Sequence, residues 1–263
     1  MWNPSQYLKF DEERTQPCRD LIHRISLNDV RRVIDLGCGP GNSTQMLADR
    51  WPDADISGLD NSQEMIAAAR LNRPQIRWVF GDISTWNADG RDRPDLVFSN
   101  AALHWVPDHR VVYPRLLDST AGALAVQIPA NFDGPAHCLM QEMATSTYWR
   151  SAFRQLPQFY SHTPAFYYDL LWPLASRLDI WQTEYIHILP GADSVVEWFK
   201  GTGMRPYLNA LNSDEDRAQF TAEYTMGIRE RFQPQSDGRV LLPFRRTFLI
   251  VYPKIISRIR KST

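Results

Sequence analysis

Asp35 and the glycines at every second position after it, Gly37, Gly39 and Gly41, stand in the run "VIDLGCGPGNST". Glycine has no Cβ, so a chain this rich in it can turn tightly and bring its backbone against a ligand. A nicotinamide dinucleotide site asks for GxGxxG, with a pyrophosphate facing the helix start. Here the pattern is DxGxGxG, and the Asp35 carboxylate just ahead of the turn would repel a pyrophosphate. A ligand carrying an amine or another cation suits it better. Two further acids close similar apolar runs, Asp60 in "ISGLDNS" and Asp82 in "WVFGDIS". Asp60 can accept both hydroxyls of a ribose, and Asp82 can accept from an exocyclic adenine amine while Ile83 packs on the ring. Any one of these aspartates could equally cap the helix or turn that follows it. Three at successive strand ends favour a nucleoside with a cationic tail, and S-adenosylmethionine, with its ammonium and sulfonium, meets that description.

The elements that must carry these residues alternate. "RRVIDLG", "ADISGLD", "IRWVFGD", "PDLVFSN" and "GALAVQIP" read as short buried strands. Between them "NSTQMLADRW", with Asn42 or Ser43 near its N-cap, "SQEMIAAARLN" and "PDHRVVYPRLLDSTAGA" supply helical stretches. Strands alternating with helices imply an α/β fold, a Rossmann-like parallel sheet over 31–129 behind an N-terminal helical cap over 1–30. Beyond Pro129 the chain becomes helical and aromatic in "NFDGPAHCLMQEMATSTYWRSAFRQL" and "ADSVVEWFKGTGMRPYLNALNSDEDRAQFTAEYTMGIRERF". "LDIWQTEYIHIL" and "VLLPFRRTFLIVY" read as final strands completing the sheet. Residues 130–263 are thus expected to form a helical substrate lid plus those strands, the lid lying above the carboxyl edge where open α/β sheets bind ligands.

Composition narrows the partners. With 29 Lys and Arg against 30 Asp and Glu, the 263 residues offer no basic footprint for nucleic acid. Cys18, Cys38 and Cys138 show neither CxxC nor Cys/His spacing, which speaks against a metal site or a disulfide framework and for a reducing cytoplasm. No signal layout opens the chain and no apolar run approaches the roughly 20 residues of a membrane span.

The motifs "VIDLGCGPGNST", "GLDNSQEMI", "GDISTW" and "DLVFSNAALHWVPDH" resemble those of the class I S-adenosylmethionine-dependent methyltransferases. Through "WNPSQYLKF", "LAVQIPANFDGPAH", "VVEWFKGTGMRPYL" and "LPFRRTFLIV" the resemblance extends along nearly the whole chain, to members that esterify an unsaturated tricarboxylic acid. It implies S-adenosylmethionine bound at Asp35, Gly37, Gly39, Gly41, Asp60, Asn61, Met65, Asp82, Ile83 and Asn100, and a small polycarboxylate as acceptor. A carboxylate with a pKa near ~4 is ionised at neutral pH, so no catalytic acid or base and no metal is expected. A polyanion does need cations and donors in place of its water. The acceptor-side candidates are His104 and Trp105 after the fourth strand, Arg205, and Arg245. Arg205 reads as the end of a helix, where serving the helix dipole is the competing role. Arg245 and Arg246 point to opposite faces of the last strand, so at most one of them reaches a pocket. Tyr7 could close over the methionine end of the cofactor, whereas Trp198 and Phe166 to Tyr168 read as packing. Two alternatives stay open: a methyltransferase of this fold for a phenol, amine or carbon acid, with His104 as base, and a cofactor-binding protein without turnover.

Overall fold

The computed structural model describes residues 11–88, 90 and 92–254. Apolar runs bounded by glycine, proline or aspartate form seven strands among them. These are β1 (Arg32–Leu36), β2 (Asp55–Asp60), β3 (Arg77–Phe80), β4 (Leu96–Asn100), β5 (Ala123–Pro129), β6 (Ala175–Leu189) and β7 (Val240–Pro253). They make one sheet in the order β3-β2-β1-β4-β5-β7-β6. β1 pairs in parallel with β2 on one side and β4 on the other, setting Asp35 beside Gly58 and Phe98. β2 with β3 and β4 with β5 are also parallel. The final pair is antiparallel, which makes the sheet mixed: the Ser176 hydroxyl donates to the Tyr252 carbonyl at 3.2 Å, Trp181 stacks on Phe248, and His187 lies 5.9 Å from Phe244. After β3 the chain crosses back to lay β4 on the free side of β1. That reversal opens a crevice at the carboxyl ends of β1 and β4, the usual ligand position in open α/β sheets.

The helices are α1 (Asp11–Arg24), α2 (Asn42–Arg50), α3 (Gln63–Asn72), α4 (His109–Asp118), α5 (Pro135–Thr145), α6 (Pro164–Leu171), α7 (Ala192–Lys200), α8 (Arg205–Ala210) and α9 (Asp214–Arg231), with a 3-10 turn at Leu103–Trp105. The long helical stretches expected after Pro129 are interrupted. The first helix stops at Thr145, and the second stretch divides into α7, α8 and α9 at Gly201–Met204 and Leu211–Ser213. α9 is set by its ends and one face. Ser213 caps it by accepting from Asp216 N–H at 3.0 Å, acids fill its first turn, and Arg229 and Arg231 its last. Phe220, Tyr224 and Ile228, four apart, are fully buried.

The chain divides into two compact units. One holds Cys18–Ile128, Tyr160–Trp181 and the chain from Thr247 on. Its core joins Leu36, Val97, Leu103, Leu116, Val126 and Tyr167. The other holds the described residues up to Pro17, then Pro129–Phe159 and Gln182–Arg246. Its core gathers Met140, Trp149, Trp198, Phe199, Tyr207, Phe220 and Tyr224. The sheet unit is therefore not the contiguous 31–129 stretch alone. The segment Tyr160–Trp181 rejoins it because Tyr167 and Leu171 bury themselves in its core. No described helix is long and apolar enough to cross a membrane.

Candidate active site

Asp35, the penultimate residue of β1, is fully buried, and its Oδ2 accepts from the Ser43 hydroxyl at 2.6 Å and the Thr44 hydroxyl at 2.7 Å. Its Oδ1 is buried with no hydrogen-bond partner. Burial pushes the carboxyl up to about 6 against the lowering effect of the two hydroxyls, with the nearby Asp60 charge adding to the rise. Asn42 and Ser43 do not cap α2. The N-cap is Gly41, in the left-handed region at φ 96°, and the Ser43 hydroxyl is spent on Asp35 instead. An aspartate buried inside its own turn demands those donors more strongly than a helix end that water can reach.

The glycine turn is tied to β2. Gly37 and Cys38 N–H donate to the Leu59 carbonyl at 2.7 and 3.0 Å, and Gly39 N–H donates to Asp60 Oδ2 at 2.9 Å. Gly37 has φ 78°, and a Cβ there would stand 2.2 Å from the Ala102 Cβ and 3.3 Å from Ile83. The loops after β1, β3 and β4 thus meet at Gly37. At Gly39, φ 55°, a Cβ would meet nothing within 4 Å. Asp60 also accepts from Ser62 N–H at 2.9 Å through Oδ1. Burial raises its pKa against these backbone donors. A carboxylate has about four lone-pair directions, so hydroxyl donors can still be accepted there. Asn61 beside it is exposed, and Met65 on α3 is buried.

Asp82 is exposed and does cap a turn with one oxygen: Oδ1 accepts from Ser84 N–H at 2.7 Å. Ile83 is buried. Asn100 ends β4 with its Oδ1 buried and unpartnered. The next residue, Ala101, sits at φ 54°, and Asp108 at φ 58°, so left-handed non-glycine residues bracket the Leu103–Trp105 turn. That turn is held from outside. The Leu103 carbonyl lies 3.0 Å from His109 Nε2, and the His104 carbonyl accepts from Tyr160 N–H at 2.8 Å. His109 Nδ1 in turn lies 2.9 Å from the Tyr167 hydroxyl. A carbonyl can only accept, so Nε2 carries the His109 proton and Nδ1 accepts from tyrosine. His104 is buried with its ring 4.8 Å from that of half-buried Trp105. All of these residues belong to the sheet unit.

The arginine candidates belong to the other unit. Arg205 is the first residue of α8, not the last of a helix, because Gly201–Met204 has already broken α7. A cation at a helix start gains nothing from the dipole, so the competing role expected for it falls away. Arg245 and Arg246 do alternate. Arg245 is half-buried and bound, its Nε donating to the Ala130 carbonyl at 2.9 Å and its Nη2 to both Asp133 oxygens at 2.7 and 2.8 Å. That pairing holds the Asp133 carboxyl below its ordinary range. Arg246 is only 3% exposed, with its guanidinium 4.6 Å over the Phe244 ring. Trp198 and Tyr167 are buried packing residues as expected, while Tyr168 is exposed. Tyr7 lies outside the described residues. Sequence reasoning missed Ser43 and Thr44 as the donors to Asp35, and Arg115, which donates to the Ser84 carbonyl at 2.6 Å and the Ile83 carbonyl at 2.8 Å. No local signal marks Arg115, because its partners lie over 30 positions away.

A glycine turn with a buried acid ahead of it, on a sheet ordered 3-2-1-4-5-7-6, defines a class I methyltransferase fold. The family described as "Methyltransferase domain" matches residues 33–124. "Trans-aconitate 2-methyltransferase" of Azoarcus sp. (strain BH72) is 45% identical over 257 residues, 95% of this chain and 98% of that one. The protein of the same name from Variovorax paradoxus (strain S110) is 42% identical over 96% of this chain and 98% of its own. The chain belongs to the trans-aconitate 2-methyltransferase family. Solved structures share the fold at much lower identity. The YcgJ protein of Bacillus subtilis matches with a TM-score of 0.56 at 15% identity, over 90% of this chain and 98% of that one. Haemonchus contortus phosphoethanolamine N-methyltransferase 2, in complex with S-adenosyl-L-methionine, matches with 0.53 at 13%, over 91% of this chain and about half (53%) of that longer one.

Proposed function

We propose that the protein transfers a methyl group from S-adenosylmethionine to a carboxylate of trans-aconitate, giving the monomethyl ester and S-adenosylhomocysteine. The observation that carries the cofactor half is the buried, unpartnered Oδ1 of Asp35 beside a glycine turn open at Gly39. An orphaned carboxylate oxygen accepts an ammonium, and the open turn admits a ligand against the backbone. Asp60 would hold the ribose hydroxyls, with Asp82 and Ile83 at the adenine and Asn61, Met65 and Asn100 completing the surround. The cofactor supplies an electrophilic methyl on a sulfonium. The acceptor oxygen is already an anion at neutral pH, so the protein's task is to hold it in line and exclude water, and proximity of this kind lowers barriers by about 7–11 kcal/mol.

The acceptor half is supported by likeness to the named relatives over 95% and 96% of the chain. Trans-aconitate keeps two carboxylates free when one is esterified, and guanidinium groups hold such handles through two parallel bonds. Arg205 is the first choice for that role, and His104 and Trp105 would border the reacting carboxylate. Arg245 already grips Asp133.

The test is purified protein with methyl-labelled S-adenosylmethionine and a panel of di- and tricarboxylic acids, phenols and amines. The expected product is a base-labile ester formed best with trans-aconitate. Base-stable label on a phenol or amine would assign another acceptor, and binding without label transfer would leave a cofactor-binding protein.

A further inference from the structure

The Asp82–Trp86 turn is the least self-sufficient piece of the cofactor site. Its Asp82 is exposed and held by short-range bonds alone, from Ser84 N–H to Oδ1 and from Thr85 and Trp86 N–H to the Asp82 carbonyl at 3.2 and 2.9 Å. α4 reaches into this turn from the far side of the sequence. Arg115 Nη1 donates to the Ser84 carbonyl at 2.6 Å and Nη2 to the Ile83 carbonyl at 2.8 Å. Just beyond, the Ser119 hydroxyl donates to Asn87 Oδ1 at 2.8 Å and accepts from Ala88 N–H at 3.4 Å.

The two carbonyls matter because a peptide unit is planar and trans. The Ile83 carbonyl shares its plane with Ser84 N–H, the donor that orients the Asp82 carboxylate. The Ser84 carbonyl shares its plane with Thr85 N–H, which donates to the Asp82 carbonyl. One guanidinium fork therefore fixes both peptide planes that aim Asp82, side chain and main chain together. Burying Arg115 Nε without a partner is part of the cost of that placement. A lysine, with a single nitrogen, cannot reproduce a planar fork on two successive carbonyls.

We propose that Arg115 is a positioning residue for adenine: its clamp on the Ile83 and Ser84 carbonyls aims Asp82 at the exocyclic amine and so sets selectivity for the adenine base of the cofactor. This rests on the S-adenosylmethionine reading of the site. The experiment compares S-adenosylhomocysteine with S-inosylhomocysteine, which replaces that amine by a carbonyl, by calorimetry on wild type, Arg115→Met, Arg115→Lys and Asp82→Asn, with Asp60→Ala as control.

Wild type is expected to prefer the adenosyl ligand at least tenfold, the scale of one hydrogen bond to a charged group. In Arg115→Met the preference falls to about twofold or less, through weaker adenosyl binding, while kcat at saturating cofactor is kept. Arg115→Lys falls between. Arg115→Met combined with Asp82→Asn is no less selective than Asp82→Asn alone, whereas Asp60→Ala weakens both ligands alike and keeps the ratio. A merely structural role would lower both affinities together, and that outcome, or an unchanged ratio in Arg115→Met, overturns the proposal. If Arg115→Met does not fold, an unchanged ratio in Arg115→Lys overturns it equally. A wild type that binds neither ligand would instead overturn the cofactor reading beneath it.

Discussion

Binding of S-adenosylmethionine is expected to weaken about tenfold between pH 7 and pH 5 and to release protons as it does so, and Asp35 is the reason. Its carboxyl stands at about 6 rather than 3.8 because it is buried, with two hydroxyl donors offsetting only part of the desolvation. Carrying the charge there costs about 3 kcal/mol in the empty site. The sign follows from the native pKa lying above the unfolded one. The contribution of Asp35 to stability is fully present below about pH 4 and is lost as pH rises through about 6, so the empty protein carries the charge at a cost near neutrality. An ammonium beside the unpartnered Oδ1 offsets that cost and returns the pKa toward its ordinary value. The empty site is half protonated near pH 6, so binding there releases about half a proton, about 0.9 at pH 5 and about 0.1 at pH 7. The ligand's own α-amino group, with a pKa of about 8, stays charged throughout.

Calorimetry in two buffers of different ionisation enthalpy reads the released protons directly. Burial raises the nearby Asp60 too, so the assignment needs Asp35→Asn, which should abolish both the release and the pH dependence. The same variant gains the ~3 kcal/mol of relieved charge but puts an amide N–H where Oδ1 had no partner, costing about 1–3 kcal/mol. Its ligand-free form should therefore be as stable as wild type at pH 7 or up to about 2 kcal/mol more so. A flat affinity from pH 5 to 7, or proton release that survives in Asp35→Asn, would refute the reasoning.

Gly37→Ala would force a left-handed residue and set a Cβ 2.2 Å from that of Ala102, so it should lose about 2–5 kcal/mol in urea melts. Gly39→Ala meets no atom within 4 Å and should lose only about 1–2 kcal/mol, yet raise the cofactor Kd at least tenfold, because its methyl fills the space offered to the ligand. Turnover at saturating cofactor and trans-aconitate should stay flat from about pH 6.5 to 8.5, since the acceptor is ionised throughout; a steep rise through the histidine range would make His104 a base. Arg205→Lys should raise KM for trans-aconitate about tenfold and lower kcat while sparing cofactor affinity, with much smaller losses for a dicarboxylate lacking the gripped group. Equal losses for both acids, or none, would remove Arg205 from the acceptor site.

The half of the site that could be read in advance is the half written locally. β1 to β5 announce themselves as apolar runs, and the candidate acids Asp35, Asp60 and Asp82 stand at or just beyond the ends of three of them, so their places are visible in the sequence. What could not be read was settled by distant partners. Ser43 reads as a cap, but the buried Asp35 claims its hydroxyl together with that of Thr44. Arg245 looks like a free cation, but Asp133, 112 positions away, binds it in a two-oxygen grip. Arg205 was misplaced within its element because "VVEWFKGTGMRPYL" keeps helical composition through a break that Gly201 and Gly203 impose. The return of Tyr160–Trp181 to the sheet unit depends on Tyr167 meeting His109, 58 positions back.

On the proposed assignment Asp60, Asp82 and Asp35 would address the ribose, the adenine and the ammonium, three groups that are identical in S-adenosylmethionine and in the product S-adenosylhomocysteine. Whatever affinity these acids supply is shared by both, and uniform binding lowers KM without raising kcat. On that assignment product inhibition would follow from the same carboxylates that hold the cofactor. Discrimination has to come from groups that sense the sulfur, where charge and one methyl are lost. At the carboxyl end of β4, Asn100 Oδ1 is buried without a partner and Ala101 holds a left-handed φ of 54°. Such conformations cost of order 1–3 kcal/mol and persist only when their surroundings over-determine them. Here Ala101 N–H is bound to the Gln127 carbonyl at 2.9 Å, and the Leu103 and His104 carbonyls are pinned by His109 and Tyr160. On the proposed assignment this pinned turn lies where binding has to differ between substrate and product, and groups held in place in advance act without reorganisation at the moment of reaction.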